Sequence, residues 1–211
     1  MTSTSWTRAI SSSALLLFLS AFGPGLVRAS EQEASMVVEQ TSAEIVALLA
    51  DKSLANGQRI EKITQIADQR FDLELMSGLI LGRNRSKLSA TQRDDFLHEF
   101  KRHLIVTYGD SLEKYSGEQI EISNARAEQN GDVTVKTKIV GGKAGGVTVD
   151  YRLRAKSGPW RVIDVFIEGV SVVQNFRSQV QEIVSTRGAD QLITILREKN
   201  DKKAATAASS S

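Results

Sequence analysis

The chemistry this chain can offer rests on two histidines, three tyrosines and a few neighbouring acids, and their spacing limits what that chemistry is. His98 and His103 lie five residues apart on a helical run. Two metal ligands on one helix face need a three- or four-residue step instead. Asp164 and Glu168 share a parity in a strand-like segment, with Arg177 shortly beyond, so a carboxylate pair for general acid/base work is one reading. Salt-bridged or solvated charge at a sheet rim is the other, since charged side chains are seldom buried without a partner. Tyr108, Tyr151 and Asp164 would mimic the acid and base of a ketosteroid-isomerase-like cone if they converged, and spacing gives no sign that they do. There is no Gly-x-Ser-x-Gly elbow and no His-Glu-x-x-His pair, and the glycines around Lys143 lack the following Ser/Thr of a phosphate loop. Cysteine is absent, which removes thiol catalysis, cysteine-ligated zinc and disulfide staples together. Stability must come from a packed core.

The elements that would position these residues follow from periodicity. Val37, Val38, Thr41, Ile45, Leu48 and Leu49 recur at helical spacing up to a stop at Asn56-Gly57. A second helical stretch begins near Gln58 and keeps its apolar content through Phe71, Leu73, Met76, Leu79, Ile80 and Leu81 to Gly82. Ser89 with Gln92 forms a capping-box signature ahead of Phe96, Leu97, Phe100, Leu104, Tyr108 and Leu112. Past Gly117 the pattern alternates. Ile120 and Ile122 give one strand, Val133 to Ile139 a second after the Asn130-Gly131 turn, and Val147 to Leu153 a third after the loose turn Gly141–Gly146. From Trp160 to Glu168 both parities carry bulky apolar groups, with Val162 and Phe166 on one side and Ile163, Val165 and Ile167 on the other, the mark of a strand covered on both faces. Val172, Val173, Phe176, Val180, Ile183 and Val184 restore the helical stripe, and a short final helix carries Leu192, Ile193, Ile195 and Leu196. Helices, then an antiparallel meander, then helices make an α+β domain.

The ends read differently. Arg8, the apolar run Ala14 to Phe22, and Val27-Arg28-Ala29 fit a cleaved secretory signal over residues 1–29, too short to span a bilayer. Residues 30–200 then form one domain, and the polar stretch 201–211 is expected to be disordered. Loss of Arg8 and Arg28 would bring the 27 basic residues level with the 25 acidic ones, a balance that argues against a nucleic-acid partner.

Several segments resemble the MlaC family, the periplasmic phospholipid-binding proteins also called toluene-tolerance or organic-solvent-resistance auxiliary proteins. They are Phe71-Asp72-Leu73-Glu74-Leu75-Met76-Ser77-Gly78-Leu79-Ile80-Leu81-Gly82, then Leu104-Ile105-Val106-Thr107-Tyr108 with Tyr115-Ser116-Gly117, then Val149-Asp150-Tyr151-Arg152-Leu153. The most specific is Trp160-Arg161-Val162-Ile163-Asp164-Val165 running into Glu168-Gly169-Val170-Ser171-Val172-Val173-Gln174-Asn175-Phe176-Arg177-Ser178-Gln179. This resemblance implies a helical half packed on a strongly curved four-stranded antiparallel sheet that encloses an apolar cavity for phospholipid tails. It also implies a ferry role in the periplasm, an inner-membrane ABC transporter with its substrate-binding ring and an outer-membrane lipoprotein complex as partners, and phospholipid as cargo with no cofactor. A relative of the same fold carries hopanoids, so that ligand stays open beside phospholipid, as does an enzyme on a ketosteroid-isomerase-like cone. The chain departs from its relatives at Asn84-Arg85, where aromatics are common, and in the glycine-rich turn Gly141–Gly146.

Strand parity and the family's pocket location together give the expected lining. From the sheet side it is Val135, Val149, Tyr151, Val165, Ile167, Val170 and Val173, and from the helices Ile80, Leu104 and Tyr108. Each has a place in an ordinary packed core as its alternative.

Overall fold

The computed structural model describes residues 24–113, 115–156 and 158–209. Four helices come first: α1 (Pro24–Ala50), α2 (Asn56–Arg70), α3 (Leu73–Leu81) and, after a 3-10 segment (Gly82–Lys87), α4 (Ala90–Glu113). Five strands follow, β1 (Gln119–Ala127), β2 (Val133–Val140), β3 (Val149–Arg154), β4 (Arg161–Ile167) and the short β5 (Val170–Ser171), then α5 (Val172–Arg187) and α6 (Leu192–Ser209). The strands pair in sequence order as one antiparallel meander. The α+β class holds, with a fifth strand where four were expected. Val170 and Ser171 fold back onto Ile167 and Phe166 before α5 begins.

Local chemistry explains where elements start and stop. The single apolar stretch expected from Gln58 to Gly82 divides at Phe71-Asp72. Phe71 is extended and bridges Val162 of β4, the Asp72 N–H donates to the Val162 carbonyl at 2.9 Å, and the Asp72 side chain caps α3 by accepting from the Leu75 N–H at 2.9 Å. The capping box at α4 forms as its residues suggest, Gln92 N–H to Ser89 Oγ at 3.1 Å and Ser89 N–H to Gln92 Oε1 at 2.8 Å.

Two apolar clusters result. One is helical, with Met76, Ile80 and Leu81 of α3, Phe96 and Phe100 of α4, Phe176 and Val180 of α5, and Leu192 and Leu196 of α6. Deleting any one of the three buried phenyls there would cost about 3–5 kcal/mol. The other lies between α1 and the sheet, where Ala34 and Val38 cover Val133, Val135, Leu153 and Val162. The smallness of Ala34 lets the helix approach the strands. Glu31 Oε1 accepts from the Ala127 N–H at 2.9 Å, and Trp160 Nε1 donates to Glu33 at 3.0 Å, holding α1 on the sheet.

Two expectations about the ends meet the structure differently. Residues 1–23 of the expected signal lie outside the described residues, and positions 24–29 form the first turns of α1. The polar tail expected to be disordered from Asp201 is helical through Ser209. Its first turn is anchored on α4, where Arg102 pairs with Asp201 and Lys203 Nζ donates to Thr107 Oγ1 at 3.1 Å, and a run of alanines favours helix beyond. Composition alone misses this because the partners lie on another element.

Candidate functional site

The residues first considered for catalysis are occupied elsewhere. Asp164 is buried and accepts from the N–H groups of Val165 and Val173 and from Ser171 Oγ, at 2.9, 3.1 and 2.6 Å. Ser171 in turn caps α5 by accepting from the Gln174 N–H at 2.9 Å. The Asp164 carboxylate therefore joins β4 to the start of α5. Glu168, at a positive φ of 49°, accepts from the backbone and hydroxyl of Thr148 and ties β4 to the start of β3. Arg177 lies over Gly82, apart from both acids. His103 Nδ1 sits 2.8 Å from Asn200 Oδ1 and packs edge-on against Phe176 at 4.6 Å, while His98 is exposed. Burial lowers the His103 pKa against the opposing pull of the Asn200 hydrogen bond. No acid/base dyad is assembled from these groups.

The register places a continuous apolar surface on one face of the sheet. Opposite partners on this face run Ala127, Val133, Leu153 and Val162 in one row, then Ala125, Val135, Tyr151 and Val165. Farther along, Ile122 lies opposite Thr137, Ile120 opposite Ile139, and Val149 opposite Ile167, which is itself paired with Val170. Side chains opposite one another share a face, so these rows form one surface. A bulge decides its composition: Arg152 pairs with Asp164 but Leu153 with Val162, so Ile163 is the extra residue and parity slips by one. Val162 thus joins Val165 and Ile167 on the inner face, not Phe166 as simple alternation gave. The outer face carries Arg152, whose guanidinium lies 4.8 Å from the Phe166 ring centre.

Burial falls along this surface. Val133, Leu153 and Val162 are sealed beneath α1. In the next row Val135 is sealed while Tyr151 and Val165 are half-buried, and beyond it Val149, Ile167, Ile120 and Ile139 are half-buried, with Val170 59% exposed. An apolar trough therefore closes at the α1 end and opens toward the Gly141–Gly146 and β4–β5 turns. Desolvation pushes the Tyr151 phenol up to about 12, yet its ring is not sealed, and its hydroxyl has no hydrogen-bond partner among the described residues. Beside the trough, α1 and the edge strand β1 bound a cleft of about 510 Å³ lined by Ser35, Ser42, Val46, Ile120 and Ile122 among others, within the roughly 300–1,000 Å³ of ligand sites.

The expected lining residues do not share one surface. Val135, Val149, Tyr151, Val165, Ile167 and Val170 all lie on the trough face. Ile80 and Val173 are closed into the helical cluster and Leu104 packs at its margin, while Tyr108 is 36% exposed on α4. Strand alternation located the first set. What it missed were Ile120, Ile122 and the covering helix α1, whose small residues Ala34, Ser35, Ser42 and Ala43 were the available signal. The turn at the open end is fastened by Glu118, which accepts from the backbone of Ser116, Lys143 and Ala144 and from Ser116 Oγ. The Ser116 and other backbone hydrogen bonds hold its carboxyl at about 2.

Comparison with known proteins places this geometry. The MlaC protein family matches residues 39–198. The toluene tolerance protein ttg2D of Pseudomonas putida is 27% identical over 181 residues, 83% of each chain. The intermembrane phospholipid transport system binding protein MlaC of Haemophilus influenzae is 30% identical over 129 residues, 58% of this chain and 59% of that one. The phospholipid-binding protein from Ralstonia solanacearum, solved in complex with a phospholipid, superposes with a TM-score of 0.74 at 25% identity, covering 82% of this chain and 99% of that one. On the match over most of its length, and on the fold that accompanies it, the chain belongs to the MlaC protein family.

Proposed function

We propose that this chain is a periplasmic carrier of phospholipid, exported by a cleaved signal over residues 1–29, that holds acyl chains against the inner face of its sheet and catalyses no reaction. The observation that carries the reading is the apolar trough, sealed at one end and open at the other. The phospholipid bound by the Ralstonia relative supports the choice of cargo. Val149, Tyr151, Val165, Ile167 and Val170 line the path, and Val135 floors it.

The physics of the task fits such a site. Two acyl chains of about 15 methylenes each, at about 0.8 kcal/mol per methylene, cost on the order of 24 kcal/mol to expose to water. A protein lining of similar polarity to the bilayer removes that barrier without a nucleotide or cofactor. Direction is then set by the partners, an outer-membrane lipoprotein complex at one end and an inner-membrane ABC transporter with its substrate-binding ring at the other. Among the described residues no helix is long and apolar enough to cross a membrane.

Organic extraction of the purified protein followed by mass spectrometry tests the reading. Phospholipid in stoichiometric amount is the expected result. A hopanoid would replace the cargo, and protein free of any lipid after gentle purification would overturn the carrier role.

A further inference from the structure

The sheet ends at β1, which has β2 on one side and no strand on the other. Alternation tells which of its backbone groups face the open side. The Ile139 N–H donates to the Val147 carbonyl, so Ile139 faces away from β1 while Lys138 and Val140 face it. Their partners Glu121 and Gln119 therefore spend their backbone groups on β2, and Ile120 and Ile122 turn theirs outward. No hydrogen bond to another described group takes these up. Farther along, beyond the bulge between Ile122 and Asn124, the outward N–H of Ala127 is met by Glu31 of α1. The stretch from Gln119 to Ile122 is thus an open edge, and it carries neither the lysine nor the proline that commonly blunts one.

The cleft of about 510 Å³ runs along this same edge. Its α1 wall is Ser35, Glu39, Ser42, Ala43 and Val46, whose three- and four-residue steps set them on one helix face. The adjoining face, with Ala34 and Val38, is the one packed on the sheet. The helix therefore overhangs the edge strand, and its small residues keep the gap open. Glu31 meets Ala127 at one end while Val46 shares the cleft with Gln119 at the other, so α1 and β1 run in opposite directions. Glu39 precedes Val46 along the groove as Ile122 precedes Ile120.

The charge in the groove has one sign. From Ala29 to Ala50, α1 has glutamates and no lysine or arginine. Glu31, Glu33 and Glu44 are engaged by Ala127, Trp160 and Arg70. Glu39 has no ion pair among the described residues and is the one charged group lining the cleft. A helix beside an unpaired strand edge is the geometry in which a peptide adds as a further strand. Backbone donors and acceptors select such an occupant over an acyl chain, which has neither.

We propose that the groove between α1 and β1 docks an extended segment of a partner protein, which hydrogen-bonds to the backbone of Ile120 and Ile122. The segment turns a lysine or arginine inward to Glu39 and, two residues away, an apolar side chain inward to Ile120 and Val46. The inference rests on the strand edge and the cleft, not on the cargo in the trough.

Fluorescence anisotropy of a labelled, end-capped pentapeptide, Thr-Lys-Thr-Val-Thr, with the protein as purified is the test. Binding should saturate at one peptide per chain. Methylating the backbone nitrogens of its lysine and valine should act differently from methylating those of its threonines, because only one set faces β1. That set should weaken binding at least about tenfold and the other should be tolerated. Replacing the lysine by glutamate should weaken binding about fivefold, and Glu39→Gln should remove this preference. Ala43→Phe fills the groove and should abolish binding, whereas Met36→Ala, on α1 away from the lining, should change nothing. Unchanged thermal unfolding and lipid content in these variants separate the groove from the carrier reading. Absence of saturable binding, or equal effects of the two methylated sets, would overturn the proposal. So would binding that appears only after the lipid is removed with detergent, which assigns the cleft to cargo. A dimer in sedimentation that Ala43→Phe abolishes would assign the edge to a second copy and overturn it equally.

Discussion

Ile167→Glu separates a trough that receives acyl chains from a surface that is merely half-covered. Ile167 lies on the inner face between Val149 and Val170, in the part of the trough that stays partly accessible. Full burial of such a side chain is worth about 1.5–3 kcal/mol, so half of that, about 0.75–1.5 kcal/mol, is the expected loss of stability, because the new carboxylate keeps access to water in the lipid-free protein. Loading is another matter. An acyl chain laid over the trough would strip water from that carboxylate, and the effective penalty for an unpaired buried ion is several kcal/mol. Taking about 4 kcal/mol, lipid affinity falls by roughly a thousandfold. Ile167→Met, which keeps the volume and the polarity, should cost under about 1.5 kcal/mol and load normally. The assay is lipid extraction and mass spectrometry on the two variants and the parent, with thermal unfolding beside it. If the glutamate variant carried phospholipid at the parental stoichiometry, the trough would not be where the chains lie.

Three further expectations follow from the same geometry. Asn200→Ala removes two donors from the buried Glu99, one to its carbonyl and one to its carboxylate; it should lower urea stability by about 2–4 kcal/mol. Burial opposes ionisation of Glu99, but Asn200, Arg197 and Arg102 outweigh it and hold the carboxyl below its usual range. That contribution is present above the ordinary carboxylate value of 4.5 and is lost as pH falls through the depressed one, so acid unfolding of Asn200→Ala should begin at higher pH. Glu118, held at about 2, should keep the amides of Lys143 and Ala144 protected from hydrogen exchange until pH falls below 4.5 toward 2, and Glu118→Gln should weaken that protection at neutral pH; unchanged exchange in the variant would mean the turn is ordered by other contacts. Tyr151 should be the tyrosine that titrates near 12 in ultraviolet absorbance. Between 10 and 12 the unfolded chain has released a proton the folded one keeps, so stability falls as pH rises through that window, and Tyr151→Phe should make this slope shallower, leaving the part from Tyr108, which burial also raises.

Much of this architecture is legible in the chain itself. The three- and four-step recurrence of Phe96, Phe100 and Leu104 requires a helix with one buried face, and Ser89 with Gln92 marks where it starts, because those side chains satisfy backbone groups within one turn. The alternation through Val133, Val135 and Thr137 fixes which side of β2 is dry. These are short-range constraints, each settled among residues a few places apart.

Other features depend on groups far apart in sequence. Phe71-Asp72 interrupts a helical pattern because Val162, on β4, offers a backbone carbonyl to a strand-like residue. The bulge at Ile163 moves Val162 onto the trough face and converts Asp164 from a candidate base into the clasp of α5. Asp201 begins a polar tail by composition and lies in a helix because Arg102 faces it.

The sequence by itself determined the class of the fold, the dry face of each regular strand, and a resemblance specific enough to name the family. Only the tertiary structure decided where that dry face is covered and where it is open, since a half-buried valine and a sealed one have the same periodicity. The difference is made by α1, which shields one end of the sheet and leaves the other to water. Local pattern records which side chains avoid solvent, and the hollow they share exists only once distant elements pack around it.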